Sequence, residues 1–261
     1  MTMPDTISGE RSSLKGSYPC TVPLDVHNHT YASGHAYSSL QEMVIAARDA
    51  GIEYFAITDH GPATPGACDP FYFRNYGIVP RLMYGVKVLM GSELNILDCE
   101  GNLDIDERLY PKLDIVLAGI HRVCWRGGSK SRNTEGVLSV MHNPRISVIT
   151  HPGDGTAELD FEALVRCCRD SGTLLEINSS SMLPWRDKTE AIPNNKEIIR
   201  LCRATDTPLI MGSDAHISFD VGNCRYAKAL LEEEGFPVEL VLNYNPDLFF
   251  SFTGVRWRGE E

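Results

Sequence analysis

Apolar positions recur along the chain in short runs that end in polar residues, and most runs are followed by a stretch with helical spacing. "PLDVHNH" (23–29) is a candidate first strand. In "SSLQEMVIAARDAG" (38–51), Leu40, Met43, Val44 and Ala47 share a helical face, Ser39 and Glu42 have capping-box spacing, and Gly51 supplies a stop. "EYFAITDHG" (53–61) and "GVKVLMGSELNI" (85–96) are the second and third strands, and the turn-rich "LDCEGNLDID" (97–106) suits a small hairpin. "KLDIVLAGIH" (112–121), "ISVITHPG" (146–153), "TLLEINSSS" (173–181) and "TPLIMGSDAH" (207–216) complete seven strands. Helices are expected over "TEGVLSVMH" (134–142), "DFEALVRCCRDSG" (160–172, with Asp160 as cap), "NKEIIRLCRAT" (195–205) and "CRYAKALLEEEG" (224–235), and parts of 237–252.

The strands are continuous apolar runs, which suit parallel strands covered on both faces. Seven such units in 261 residues favour a single-domain α/β barrel over an open sheet, although a doubly wound sheet uses the same units. Residues 1–22 are polar and rich in Ser, Gly and Pro, and are expected to form a flexible tail ahead of a single folded domain over 23–261. With no apolar leader, no membrane-length run and scattered cysteines, a cytoplasmic protein with reduced thiols is expected.

The eight histidines change the picture. His27, His29, His60, His121, His151 and His216 stand at C-terminal strand ends, with His35 just beyond the first strand; Glu93 and Asp214 do the same on the third and seventh. In parallel α/β folds these ends line the active-site mouth. A solitary strand-end histidine is usually structural, but seven of them with two carboxylates form a donor set for zinc or related cations. H-x-H on a strand points both rings to one face, and Asp214 and His216 repeat that spacing. The set is too large for one four-coordinate ion, and three ions fit if Glu93 bridges two. His142, near a helix end, falls outside the set. Asp25 and Asp59 are expected to orient their neighbours or to make simple strand-end hydrogen bonds.

"DVHNHTYAS", "ITDHG", Glu93, "AGIH", "ITHPG" and "GSDAH", in this order, resemble the PHP (polymerase and histidinol phosphatase) family from about residue 24 to about 250. "HAYS" (35–38), "FAITDHGP" (55–62) and Glu176–Ser180 make the YcdX-type phosphatases the nearest subgroup. The resemblance implies a distorted (β/α)7 barrel with a trinuclear centre. His27, His29, Glu93 and Asp214 would hold one ion, and His35, His60 and His216 a second. His121 and His151 would hold a third, bridged by Glu93. Zinc is the expected metal, with manganese or iron as alternatives.

Three divalent cations would outweigh two carboxylates, so a protein of net charge −11 could still attract a phosphate dianion while disfavouring long nucleic acid and anionic membranes. Metal-activated hydroxide attacking phosphorus in line gives a phosphomonoesterase without a covalent intermediate. Glu93, Asp214 and His216 are the expected catalytic residues, the substrate a small phosphorylated metabolite, and a homo-oligomer the expected assembly. No general acid stands out. The loop "HRVCWRGGSKSRN" (121–133) gathers Arg122, Arg126, Lys130 and Arg132 on the expected rim; Arg122 and, after the sixth strand, Arg186 are candidate phosphate contacts. Trp125 suits packing better than ring stacking. Histidinol-phosphate hydrolysis and cleavage of short oligonucleotides are competing activities, and a non-catalytic metal-binding role is a rival of another class. An amidohydrolase fits poorly, because of Glu93, His35 and His60.

Overall fold

A computed structural model describes residues 18–259. Strands β1 (Leu24–Asp25), β2 (Tyr54–Ile57), β4 (Val86–Asn95), β5 (Ile115–Gly119), β6 (Val148–Thr150), β7 (Leu174–Asn178) and β8 (Ile210–Gly212) pair in parallel, in that order. The short β3 (Leu82–Met83) adds antiparallel to β4. The result is a nearly closed, distorted seven-stranded barrel rather than an open doubly wound sheet.

Side-chain alternation grades the barrel interior. Inward positions run Leu89–Gly91–Glu93 on β4, Ile115–Leu117–Gly119 on β5, Val148–Thr150 on β6 and Leu174–Glu176–Asn178 on β7. The lower members of these series cluster with Leu24, Ala56, Ile210, Leu242 and Phe249 in an apolar plug. Their outward neighbours, such as Val88, Met90, Val116, Ala118 and Ile177, join the larger core beneath the helices. The apolar-to-polar switch therefore runs along the barrel axis, and the ionisable groups of these inward series emerge at one end.

Helices α1 (Leu40–Asp49), α3 (Lys130–Met141), α4 (Phe161–Ser171), α5 (Ala191–Ala204) and α6 (Arg225–Glu233) cover the outside. The Ser39–Glu42 capping box and the Asp160 cap form as expected. Two connections depart from the repeating pattern. Between β2 and β4 the chain makes only α2 (Phe71–Arg74), a 3-10 turn, Tyr76–Ile78, and β3, and between β4 and β5 only a 3-10 turn, Glu107–Lys112. The expected hairpin over 97–106 reduces to one antiparallel bridge, Ile96 with Leu103. Helix α3 starts four residues earlier than its apolar spacing suggests, because Ser129 caps it by accepting from the Arg132 N–H. The last helix, α7 (Pro246–Thr253), contributes Phe249 to the plug.

Strand β1 is far shorter than "PLDVHNH" implies, so His27 and His29 lie beyond its ladder. Of the tail expected over 1–22, residues 1–17 lie outside the described residues. Tyr18 and Val22 are packed rather than loose: both are buried in the core, and the Tyr18 hydroxyl donates to the Phe236 carbonyl at 2.6 Å.

The seam between β8 and β1 has no continuous ladder. One bridge, Asn28 with Ala215, spans it near the mouth. Lower down, the buried Asn243 amide takes the place of a strand: its Oδ1 accepts from the Met211 N–H at 2.7 Å, and its Nδ2 donates to the Leu24 and Met211 carbonyls at 2.9 Å each. Asp25 serves the same seam, accepting from the Ser213 hydroxyl at 2.6 Å and the Gly222 N–H at 3.1 Å. Replacing Asn243 by the similarly sized Leu strands three buried backbone groups. Asn243→Leu is expected to lower unfolding free energy by about 3 kcal/mol or more, measured by urea denaturation.

Candidate metal centre

The mouth of the barrel is built around Glu93, which has no exposed surface. Its Oε1 accepts from the Thr150 hydroxyl at 2.6 Å and lies 2.9 Å from His151 Nε2 and 3.3 Å from His121 Nε2. Its Oε2 lies 3.0 Å from His60 Nδ1, 3.3 Å from His27 Nε2 and 3.5 Å from His29 Nε2. Asp214 Oδ1 faces His29 Nε2 at 3.3 Å, His216 Nδ1 at 3.3 Å and His27 Nε2 at 3.6 Å. His35 Nε2 approaches His216 Nε2 to 3.0 Å. The nine residues singled out in the sequence thus converge, while His142 caps α3 with its Nδ1 on the Leu138 carbonyl.

The surroundings orient the rings. His27 Nδ1 is 2.7 Å from Glu176 Oε1, His35 Nδ1 is 3.1 Å from the Ser33 carbonyl, and His216 Nδ1 is 3.0 Å from the Asp214 carbonyl. His29 Nδ1 lies 3.0 Å from Ser33 Oγ, whose hydroxyl donates to Asp59 Oδ1 at 2.7 Å. These partners assign the proton to Nδ1 and leave Nε2 for a cation. Accordingly, His27 Nε2, His29 Nε2, His60 Nδ1, both His121 nitrogens and Glu93 Oε2 are buried without hydrogen-bond partners. Buried polar atoms are rarely left so, and an imidazole–carboxylate set fits divalent cations. Three subsets have ligand atoms within 4.8 Å of one another: His27–His29–Asp214, His60–Glu93–His121 and His29–His60–His216. They overlap at His29 and His60. His60 therefore lies within reach both of Glu93 and of His216, its expected partner.

Local conformation serves the same end. His151 and Asp214 sit at φ 35° and 51°, in the left-handed region that costs a side-chain-bearing residue roughly 1–3 kcal/mol. A side chain at Gly119 would strike Thr150 Oγ1 and come within 3.1 Å of Glu93 Oε1, and one at Gly212 would strike Glu176. Glycine at these two positions makes room for the carboxylates.

Burial opposes ionisation of Glu93, but His27, His121 and His60 outweigh it and hold the carboxyl well below its usual range. Asp214 is lowered in the same way, against burial, by His27, His216 and His29. Burial also opposes charge on His27, yet Glu176, Glu93 and Asp214 hold its pKa well above the ordinary value. His29 is driven well down by burial with help from His60 and His216, and His60 is lowered to about 4 by burial. Without cations, then, the surrounding carboxylates favour the charged form of His27, whereas burial favours the neutral forms of His29 and His60.

Glu176 was not singled out as a site residue, although it is an acid in an otherwise apolar run. It also accepts from the His151 N–H at 2.8 Å. Asp59 acts on His29 only through Ser33, and Asp25 touches no imidazole ring. The expected cation cluster does not assemble. Arg132 pairs with Glu100 and, at 2.8 Å, with Glu135; Lys130 opens α3; and the Arg126 backbone bridges to Asp98. Trp125 packs against the core. Arg122 and Arg186 do line a cleft of about 560 Å³ floored by His35, His60 and His121, together with Lys188, which sequence reasoning missed.

The PHP-domain profile matches residues 25–161, and a PHP-associated profile matches 193–231. The chain belongs to the PHP family. A probable phosphatase of Acetivibrio thermocellus is 42% identical over 226 residues, covering 87% of this chain and 92% of its own length. A probable phosphatase of Caldicellulosiruptor saccharolyticus is 40% identical over 240 residues, covering 92% and 99%. The fold resembles that of histidinol phosphate phosphatase from Lactococcus lactis complexed with zinc, L-histidinol and phosphate. Its TM-score is 0.55 at 16% identity, over 83% of this chain and 95% of that one.

The geometry makes two measurable claims. Elemental analysis of Glu93→Ala should show loss of more than one ion per chain, whereas Glu176→Ala should weaken metal affinity about 10–100-fold without removing a donor. A cation can bind at His27 Nε2 only when that nitrogen carries no proton, and the surrounding carboxylates favour the charged ring, so calorimetric titration with Zn²⁺ at pH 7 in buffers of different ionisation enthalpy should show proton release.

Proposed function

We propose that this PHP protein is a metal-dependent phosphomonoesterase acting on a small phosphorylated metabolite. The observation that carries the reading is a group of unpartnered imidazole nitrogens and one carboxylate oxygen beneath a cleft lined by Arg122 and Arg186. Bound divalent cations would supply the Lewis acidity that brings water's pKa toward neutrality and offsets phosphate charge. His27, His29, His35, His60, Glu93, His121, His151, Asp214 and His216 would hold three of them. Zinc suits these donors, with manganese or iron as alternatives. The zinc and phosphate of the Lactococcus lactis protein support the same assignment.

The chain's own groups would then divide the work. Arg122 and Arg186 approach the phosphoryl oxygens from the cleft, as forked donors suited to an oxyanion. The volume suits a metabolite-sized ligand, and the net charge of −11 disfavours a long polyanion. Among the described residues, no helix is long and apolar enough to cross a membrane. Histidinol phosphate is the alternative substrate suggested by the structural neighbour.

Chelation should abolish p-nitrophenyl phosphate hydrolysis, and added Zn²⁺ or Mn²⁺ should restore it; full turnover by metal-free protein would remove the reading. Bis-p-nitrophenyl phosphate should be cleaved far more slowly, and the reverse order would make the protein a phosphodiesterase. Steady-state kinetics on histidinol phosphate decide the named alternative.

A further inference from the structure

Arg186 is an exposed guanidinium on a loop and has no carboxylate in ion-pair range among the described residues; its Nη2 donates to Ser180 Oγ at 3.0 Å. Besides the cleft, it borders a second, smaller depression of about 120 Å³ beside Asp214 and His216. Exposed arginines wander, yet this one must stay between two concavities to serve either. Two residues on, Lys188 Nζ donates to Asp154 Oδ2 at 2.6 Å and lies 3.5 Å from Ser181 Oγ. Asp154 is a buried carboxylate, fixed within its own turn by the Thr156 N–H at 2.8 Å and hydroxyl at 2.9 Å. The same Oδ2 lies 3.6 Å from His151 Nδ1. The intervening backbone is taut: the Arg186 N–H donates to the Leu183 carbonyl, and the Lys188 N–H to the Arg186 carbonyl, each at 2.9 Å.

We infer that Lys188 is a positioning residue whose ion pair with Asp154 latches the loop after β7 onto the loop after β6, and so holds Arg186 over the cleft. A buried acceptor fixed by other bonds makes this pair stiffer than a solvated surface pair, which contributes little. Lys188 acts through Arg186, and the step from latch to anion capture rests on reading the cleft as a phosphoester site.

Two measurements on the full-length protein test it. Tryptic cleavage after Arg186 reads loop release without any turnover. Its initial rate should rise about tenfold or more in Lys188→Met and in Asp154→Asn, and stay near wild type in Lys188→Arg. Equal rates in wild type and Lys188→Met would overturn the latch. Calorimetry with inorganic phosphate on metal-loaded protein reads the consequence. Arg186→Ala and Lys188→Met should each weaken binding about tenfold, and the double variant no further. Additive losses would make Lys188 an independent contact and overturn its positioning role. If wild type hydrolyses no phosphomonoester while the proteolysis responds as stated, the functional reading falls and the latch stands.

Discussion

A carboxylate without exposed surface must be compensated within its own cavity, and Glu93 has only imidazoles and one hydroxyl to do it. Among the described residues, five rings approach its two oxygens and no lysine or arginine does. Much of the local structure follows from that demand. Glu176 anchors His27 from behind, Ser33 relays Asp59 to His29, and two residues adopt costly backbone conformations to bring their side chains inward. Protein groups alone leave several nitrogens unpartnered, which is what a cavity shaped for cations requires.

The barrel makes this concentration affordable by keeping polarity at one end. Each inward series begins with an aliphatic side chain and ends in a carboxylate, hydroxyl, amide or glycine. Leu242 and Phe249 join the apolar plug of the lower barrel, while the rim gathers the imidazoles and carboxylates. Stability and function are thus separated along one axis, although they use the same strands.

Most of this was legible in the sequence. The seven strands announce themselves as apolar runs, and the histidines stand out because a residue type used eight times falls almost wholly at strand ends. What could not be read depends on distant partners. β1 pairs over only two residues, since its seam neighbour is an asparagine side chain rather than a strand. The basic loop dissolves because Ser129 starts α3 early and Glu100 and Glu135 claim Arg132. Lys188 looks like any surface lysine until Asp154 is found beneath it. Glu176 carried a local signal, since an acid within a buried strand needs a partner, but the partner was His27, 149 residues away.

The seam has a consequence for biosynthesis. β1 is made before the other strands of the barrel, yet the amide that satisfies its Leu24 carbonyl lies 219 residues further along the chain. A nascent chain can stack six parallel pairings in order, but it carries two raw edges until Asn243 emerges. The closing stitch therefore comes late: the seam below the rim cannot be satisfied before residue 243 has been made, and a chain stopping upstream of it would present a sheet with open, adhesive margins rather than a smaller barrel.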